Sequence, residues 1–153
     1  MKNLYLPGFL GLLIFISVSG FAQEPIPVKQ YIADKPQLFS QFPEKIDCSK
    51  IELESLLKSA ISDEVNLTLL GTINLKGVLV EKIRRANHVY SINIKLNAYP
   101  GALFNLSFVM NELEITAMKG RIIHPQYGDV LVLKQENQHY FFEKQNQKFF
   151  MTE

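Results

Sequence analysis

The sequence predicts an α+β, mainly β domain, in which one amphipathic helix packs on a curved antiparallel meander of about seven or eight strands. Three observations predict it. The hydrophobic period is helical only between Ser49 and Ile61. From Val65 onward it becomes two. The segments joining the alternating runs are short, as hairpins require and parallel crossovers do not allow. A sheet of that size hides its edges best by closing on itself, so the expectation is barrel-like, with a two-sheet sandwich as the alternative.

Residues 1–22 read as an address. Lys2 supplies a positive start, Phe9 to Val18 is an apolar or small run, and Gly20 and Ala22 are small residues before Gln23. Charge, length and cleavage chemistry are those of a secretory signal peptide cut after Ala22. The apolar run is about half the roughly 20 residues needed to span a bilayer. No second long apolar run follows, so no stable membrane insertion is expected after cleavage. Residues 23–47 are expected to form an irregular arm, punctuated by Pro25, Pro27, Pro36 and Pro43. Residues 48–153 are expected to hold the helix and the meander.

The helix is predicted over 50–61. Ser49 and Glu52 stand at capping-box spacing. Leu53, Leu56, Leu57, Ala60 and Ile61 then form one stripe. Residues 73–83 place Ile73, Leu75, Gly77, Leu79 and Ile83 on one face. Residues 88–98 place His88, Tyr90, Ile92, Ile94, Leu96 and Ala98 on one face and Ser91, Asn93, Lys95 and Asn97 on the other. Residues 102–110 set Ala102, Phe104, Leu106, Phe108 and Met110 against Asn105 and Ser107. Loop lengths join Ile83 to His88 through Arg84–Asn87. They match Ala98 with Ala102 through Tyr99–Gly101, and Met110 with Leu113, which pairs Phe108 with Ile115. Further strands are expected at 113–124, 129–135, 139–144 and 148–152. The run Val130–Leu133 shows no alternation, as a strand buried on both faces would.

Composition narrows function by exclusion. Of 153 residues, 47% are hydrophobic and 20% charged, so a packed core is expected and wholesale disorder is not. Sixteen basic side chains face 15 acidic ones, and losing Lys2 with the signal peptide leaves 15 against 15. A balance so near zero argues against a nucleic-acid binder, which needs a basic face to displace counterions. The single cysteine excludes an intrachain disulfide and a cysteine-based zinc cluster. Cys48 precedes the expected N-cap, where a helix N-terminus can activate a thiol. The competing reading is a small apolar staple against Leu53.

The densest set of polar types lies in GRIIHPQYGDVLVLK, Gly120 to Lys134. His124 and Asp129 flank a Pro–Gln–Tyr–Gly turn. A His–Asp pair can orient an imidazole as a base, and Arg121 or Tyr127 can bind an anion. Proline, glycine and aspartate are equally what a turn demands. The three histidines, His88, His124 and His139, have no metal-ligand spacing, and no metal or cofactor is expected. The adjacent aromatics Tyr140, Phe141, Phe142, Phe149 and Phe150 either pack in a core or leave a patch for a partner, with Tyr140, Phe142 and Phe150 as the candidates.

FSQFPEKIDCSKIELESLL and GRIIHPQYGDVLVLK resemble segments of small exported proteins of Bacteroidota-type bacteria. The resemblance implies a Gram-negative export setting, periplasmic or extracellular, and no particular activity. The signal peptide, small size, β-architecture and lack of a catalytic motif give the expected function, an exported non-catalytic binding or protein-interaction module of unknown ligand. The alternatives are a carrier of a small apolar ligand inside a barrel and a small hydrolase using His124 and Asp129.

Overall fold

The computed structural model describes residues 35–146 apart from Leu113. The expected signal peptide, the first part of the arm, the strand at 148–152 and the candidate Phe150 lie outside the described residues. Within them the chain is a closed eight-stranded antiparallel barrel in simple up-and-down order. Its strands are β1 (Lys45–Cys48), β2 (Glu64–Leu69), β3 (Ile73–Ala86), β4 (Val89–Leu96), β5 (Leu103–Asn111), β6 (Glu114–Ile123), β7 (Asp129–Glu136) and β8 (His139–Asn146). The only helix among the described residues, α1 (Lys50–Ser55) with a 3-10 turn at Leu56–Lys58, joins β1 to β2. Closure excludes the two-sheet sandwich. It is completed by β1, which pairs with β8 from Lys45–Glu143 to Cys48–Tyr140 and with β2 at Cys48–Leu69. The irregular arm therefore ends at Glu44 and not at residue 47. Four residues alternating exposed and buried are too short a run to stand out as a strand.

Alternation fills the interior. Leu75, Leu79, Ile92, Ile94, Phe104, Leu106, Phe108, Ile122, Leu131, Leu133 and Phe142 belong to one contiguous buried cluster. On β7, Val130, Leu131 and Leu133 are all buried, with Val132 half-buried between them. Phe104 on β5 and Phe142 on β8 stand three strands apart around the ring. Their rings nevertheless meet edge to face, with centroids 5.6 Å apart. Aromatic contact across the lumen leaves no open bore at that level.

Each end of the barrel has its own stopper. At the end where β3–β4 and β5–β6 reverse, α1 presses Leu53 and Leu56 into the core. Ser49 Oγ accepts from the Glu52 amide as expected of an N-cap. The Glu52 carboxylate does not return the bond as a capping box would; it accepts from the Thr68 amide on β2 at 2.9 Å. The helical segment ends at Lys58, three residues before the expected Ile61, which is 57% exposed. Ser62, at φ +77, turns the chain back: its amide donates to Leu79 O, and the Leu79 amide donates to Asp63 O. This is a bulge with its first residue in the left-handed region. Asp63 Oδ2 also accepts from the Ala60 amide at 2.7 Å. At the opposite end the arm lays Phe39, fully buried, beside Phe42 and Tyr99.

Four further irregularities correct the expected faces and turns. In β3, Leu79 pairs with Ile94 but Glu81 with Asn93, leaving Val80 unpaired and 37% exposed. Parity flips there, so Lys82 and Arg84 pair with the inward Ile92 and Tyr90, and Ile83 falls on the outer face with Ser91. The extra residue Arg85 carries β3 to Ala86, so the reversal is the two residues Asn87–His88 rather than Arg84–Asn87. In β6, Thr116 is the extra residue and its hydroxyl donates to Val109 O. Phe108 therefore pairs with Met118, while Ile115 pairs with Met110. At the β4–β5 reversal the last ladder pair is Lys95–Leu103, in place of the expected match of Ala98 with Ala102. Tyr99 to Ala102 closes as a turn, with the Ala102 amide on Tyr99 O and Gly101 at φ +95. Proline at the second turn position and glycine at positive φ in the third are the signature of a type II turn.

Candidate functional site

The polar residues expected to carry function gather at the arm end of the barrel, around the β6–β7 connection. His124 follows β6 and is buried. The Gln126 amide donates to its Nδ1 at 3.1 Å, and Nε2 lies 3.0 Å from Pro100 O. A backbone amide can only donate and a carbonyl can only accept. Nε2 therefore carries the proton, and the neutral ring ties the β6–β7 connection to the β4–β5 turn. Tyr127 packs edge to face on this ring, with centroids 4.7 Å apart. Gly101 lies against the same ring: a Cβ there would stand 2.6 Å from His124 Nε2.

Asp129, the first residue of β7, is 3% exposed. Its Oδ1 accepts from the Leu38 amide and its Oδ2 from the Phe39 amide, each at 2.7 Å. One carboxylate thus holds two successive amides of the arm and seats Phe39 over the barrel mouth. Gly128 donates to Pro36 O, and Lys35 Nζ donates to Pro125 O, which extends the same attachment. His124 and Asp129 share a loop but not a hydrogen bond, because each is engaged elsewhere. Arg121 stands exposed on the outer wall, paired in register with Asn105 and Val132. Tyr140 and Phe142 point inward and belong to the core. Phe141 faces the opposite side and is also buried, with Lys45 Nζ 4.7 Å from its ring centroid.

Two arrangements escape a linear reading. The first is a polar strip across the outer wall. Asn93 donates to the Glu81 carboxylate, Asn105 donates to Asn93 Oδ1 at 2.7 Å, and Arg121 is the next residue in register. Ser91 and Ser107 hydroxyls meet at 2.8 Å in the neighbouring row, with Lys119 beyond them. The outward parity of 91, 93, 105 and 107 is legible in the sequence; Glu81 joins them only because of the bulge at Val80. The second is the exposed pair His139 Nε2–Asp47 Oδ1 at 3.0 Å, brought together across 92 positions by the β1–β8 ladder. It lies beside Cys48, whose thiol burial pushes up to about 12, with Asp47 and Glu52 adding to the effect. So high a value opposes thiolate chemistry and fits the buried-staple reading of Cys48, which shares the core cluster with Leu53. Among the described residues no group of His, Cys, Asp or Glu side chains converges to hold a metal ion.

No family model, no curated protein and no solved structure matches the chain.

Proposed function

We propose that the protein is an exported, non-catalytic interaction module in which the barrel is a solid scaffold and recognition takes place on its outside. The observation that carries this reading is the contact of Phe104 with Phe142 across the lumen, with α1 closing one mouth and Phe39 the other. A carrier of a small apolar ligand needs that interior space. The engagement of both His124 nitrogens and both Asp129 oxygens within the fold argues in the same direction against a hydrolase. The outer strip from Glu81 to Arg121 offers fixed acceptors and donors ending in an exposed guanidinium, suited to a protein partner that presents carboxylates and backbone groups.

The test is made on protein recovered from its host. Its N-terminus should be Gln23, and its native mass should equal that of the bare polypeptide. A photo-crosslinking residue at Arg121 should capture a partner that the same residue at Lys76, exposed on β3, does not. An apolar molecule retained at one per chain overturns the reading in favour of the carrier. Equal capture from both positions removes the outer strip as the binding face.

A further inference from the structure

The ring of strands is not equally knit. β6 pairs with β5 along its whole length, from Leu103–Ile123 to Asn111–Glu114. With β7 it pairs only at Arg121–Val132 and Ile122–Leu131. β7 pairs with β8 along its whole length, from Asp129–Asn146 to Glu136–His139. Among the described residues, the outer edge of Glu114–Gly120 therefore has no ladder partner. An unpaired strand edge is a template for another strand. Glu114, Thr116 and Lys119 are exposed along it, and Ile115 and Ala117 are half-buried. Neither Glu114 nor Lys119 takes part in an ion pair among the described residues.

We propose that this edge self-associates, joining two copies of the chain through antiparallel β6–β6 pairing about a two-fold axis. The sequence of the edge is its own complement. With the axis between Thr116 and Ala117, Glu114 faces Lys119 of the second copy, Ile115 faces Met118, and Thr116 faces Ala117. The bulge at Thr116 makes the faces agree. Ile115 pairs with Met110 and Met118 with the inward Phe108, so Ile115 and Met118 share the core-side face. Glu114 and Lys119 share the outer one. A lone lysine on an edge repels a neighbouring strand. Here each lysine meets a glutamate, so the charges admit this register and oppose the one that aligns like with like. A two-fold contact uses the same patch on both copies, as this one does.

The inference is independent of the outer strip, and it is read from oligomeric state rather than from partner capture. Sedimentation equilibrium of the purified chain, from micromolar to millimolar concentration, should show a monomer–dimer equilibrium. Lys119→Glu should raise the dimer dissociation constant about tenfold or more. Adding Glu114→Lys to that variant should restore it, because the pairs are only reversed. As a readout that needs no variant, the amides of Ile115 and Met118, which face away from β5, should gain exchange protection with concentration while those of β4 do not. A chain that stays monomeric throughout overturns the inference. So does a dimer that Lys119→Glu leaves intact or the reversed pair fails to recover.

Discussion

Asp129 is the residue on which the arm end of the barrel depends, and Asp129→Asn isolates its role. The carboxylate accepts two amides, Leu38 and Phe39, at 2.7 Å, from a site 3% exposed. Asparagine keeps the shape and one acceptor oxygen, but turns an NH2 group toward the second amide. One bond to a charged acceptor is lost, at about 1.5–3 kcal/mol, and a shielded N–H is left unsatisfied, so the expected cost is about 2–4 kcal/mol in all. Domains of this size are stable by about 5–15 kcal/mol, so the loss should be plain in a urea titration. It should also be local. If the arm lifts before the barrel opens, the Leu38 and Phe39 amides should exchange about thirty- to nine-hundredfold faster at unchanged β4 protection. A variant within 0.5 kcal/mol of the parent, with those two amides exchanging as before, would refute the clamp.

Gly101→Ala forces a Cβ to 2.6 Å from His124 Nε2 at φ +95 and should cost about 2 kcal/mol or more in thermal or urea unfolding. Lys82→Met removes the ammonium that donates to Leu57 O and Ser59 O at 2.6 and 3.0 Å; it should lose about 1–3 kcal/mol and speed amide exchange at Ser59 and Ala60. Cys48, with its thiol raised from 9.0 to about 12, should carry about a thousandfold less thiolate at pH 8 than a free thiol, and should resist iodoacetamide until the protein is unfolded. Burial also raises the Tyr99 phenol above its ordinary 10.0, so its neutral form favours the fold. That contribution is whole below pH 10 and is lost as pH rises through the folded value, so the stability difference between parent and Tyr99→Phe should be constant below pH 10 and shrink above it.

The strands from β2 to β8 are legible because half-buried antiparallel strands alternate, and the turns between them are set by glycine, proline and short polar segments. The closing strand is not legible. Lys45–Cys48 alternates for only four residues and follows a proline-punctuated arm, so its identity comes from its partners Tyr140–Glu143, far along the chain. The same holds for the candidate site. The residue types of His124, Tyr127 and Asp129 are visible, but their work is fixed by groups on other segments: Pro100 O for the imidazole, and the Leu38 and Phe39 amides for the carboxylate. A polar cluster in sequence thus becomes a set of struts.

The bulges show most sharply where a period-two reading fails and why. Reading β3 as unbroken alternation places Ile83 inside and Lys82 outside, which suits hydrophobicity. The structure adopts the opposite, with Val80 left unpaired and Ile83 outside. The compensation is tertiary. Once the 3-10 turn ends at Lys58, the carbonyls of Leu57 and Ser59 lie over the barrel mouth without helical partners and need a donor. Lys82, paired with the inward Ile92 beyond the bulge, reaches both. Lysine brings an apolar stem to line the mouth and an ammonium to meet both carbonyls. The bulge at Val80 thus turns Lys82 toward the end of the helical segment. Lys82 thereby joins the end of the helical segment to the flipped face of β3, and Lys82→Met tests that link.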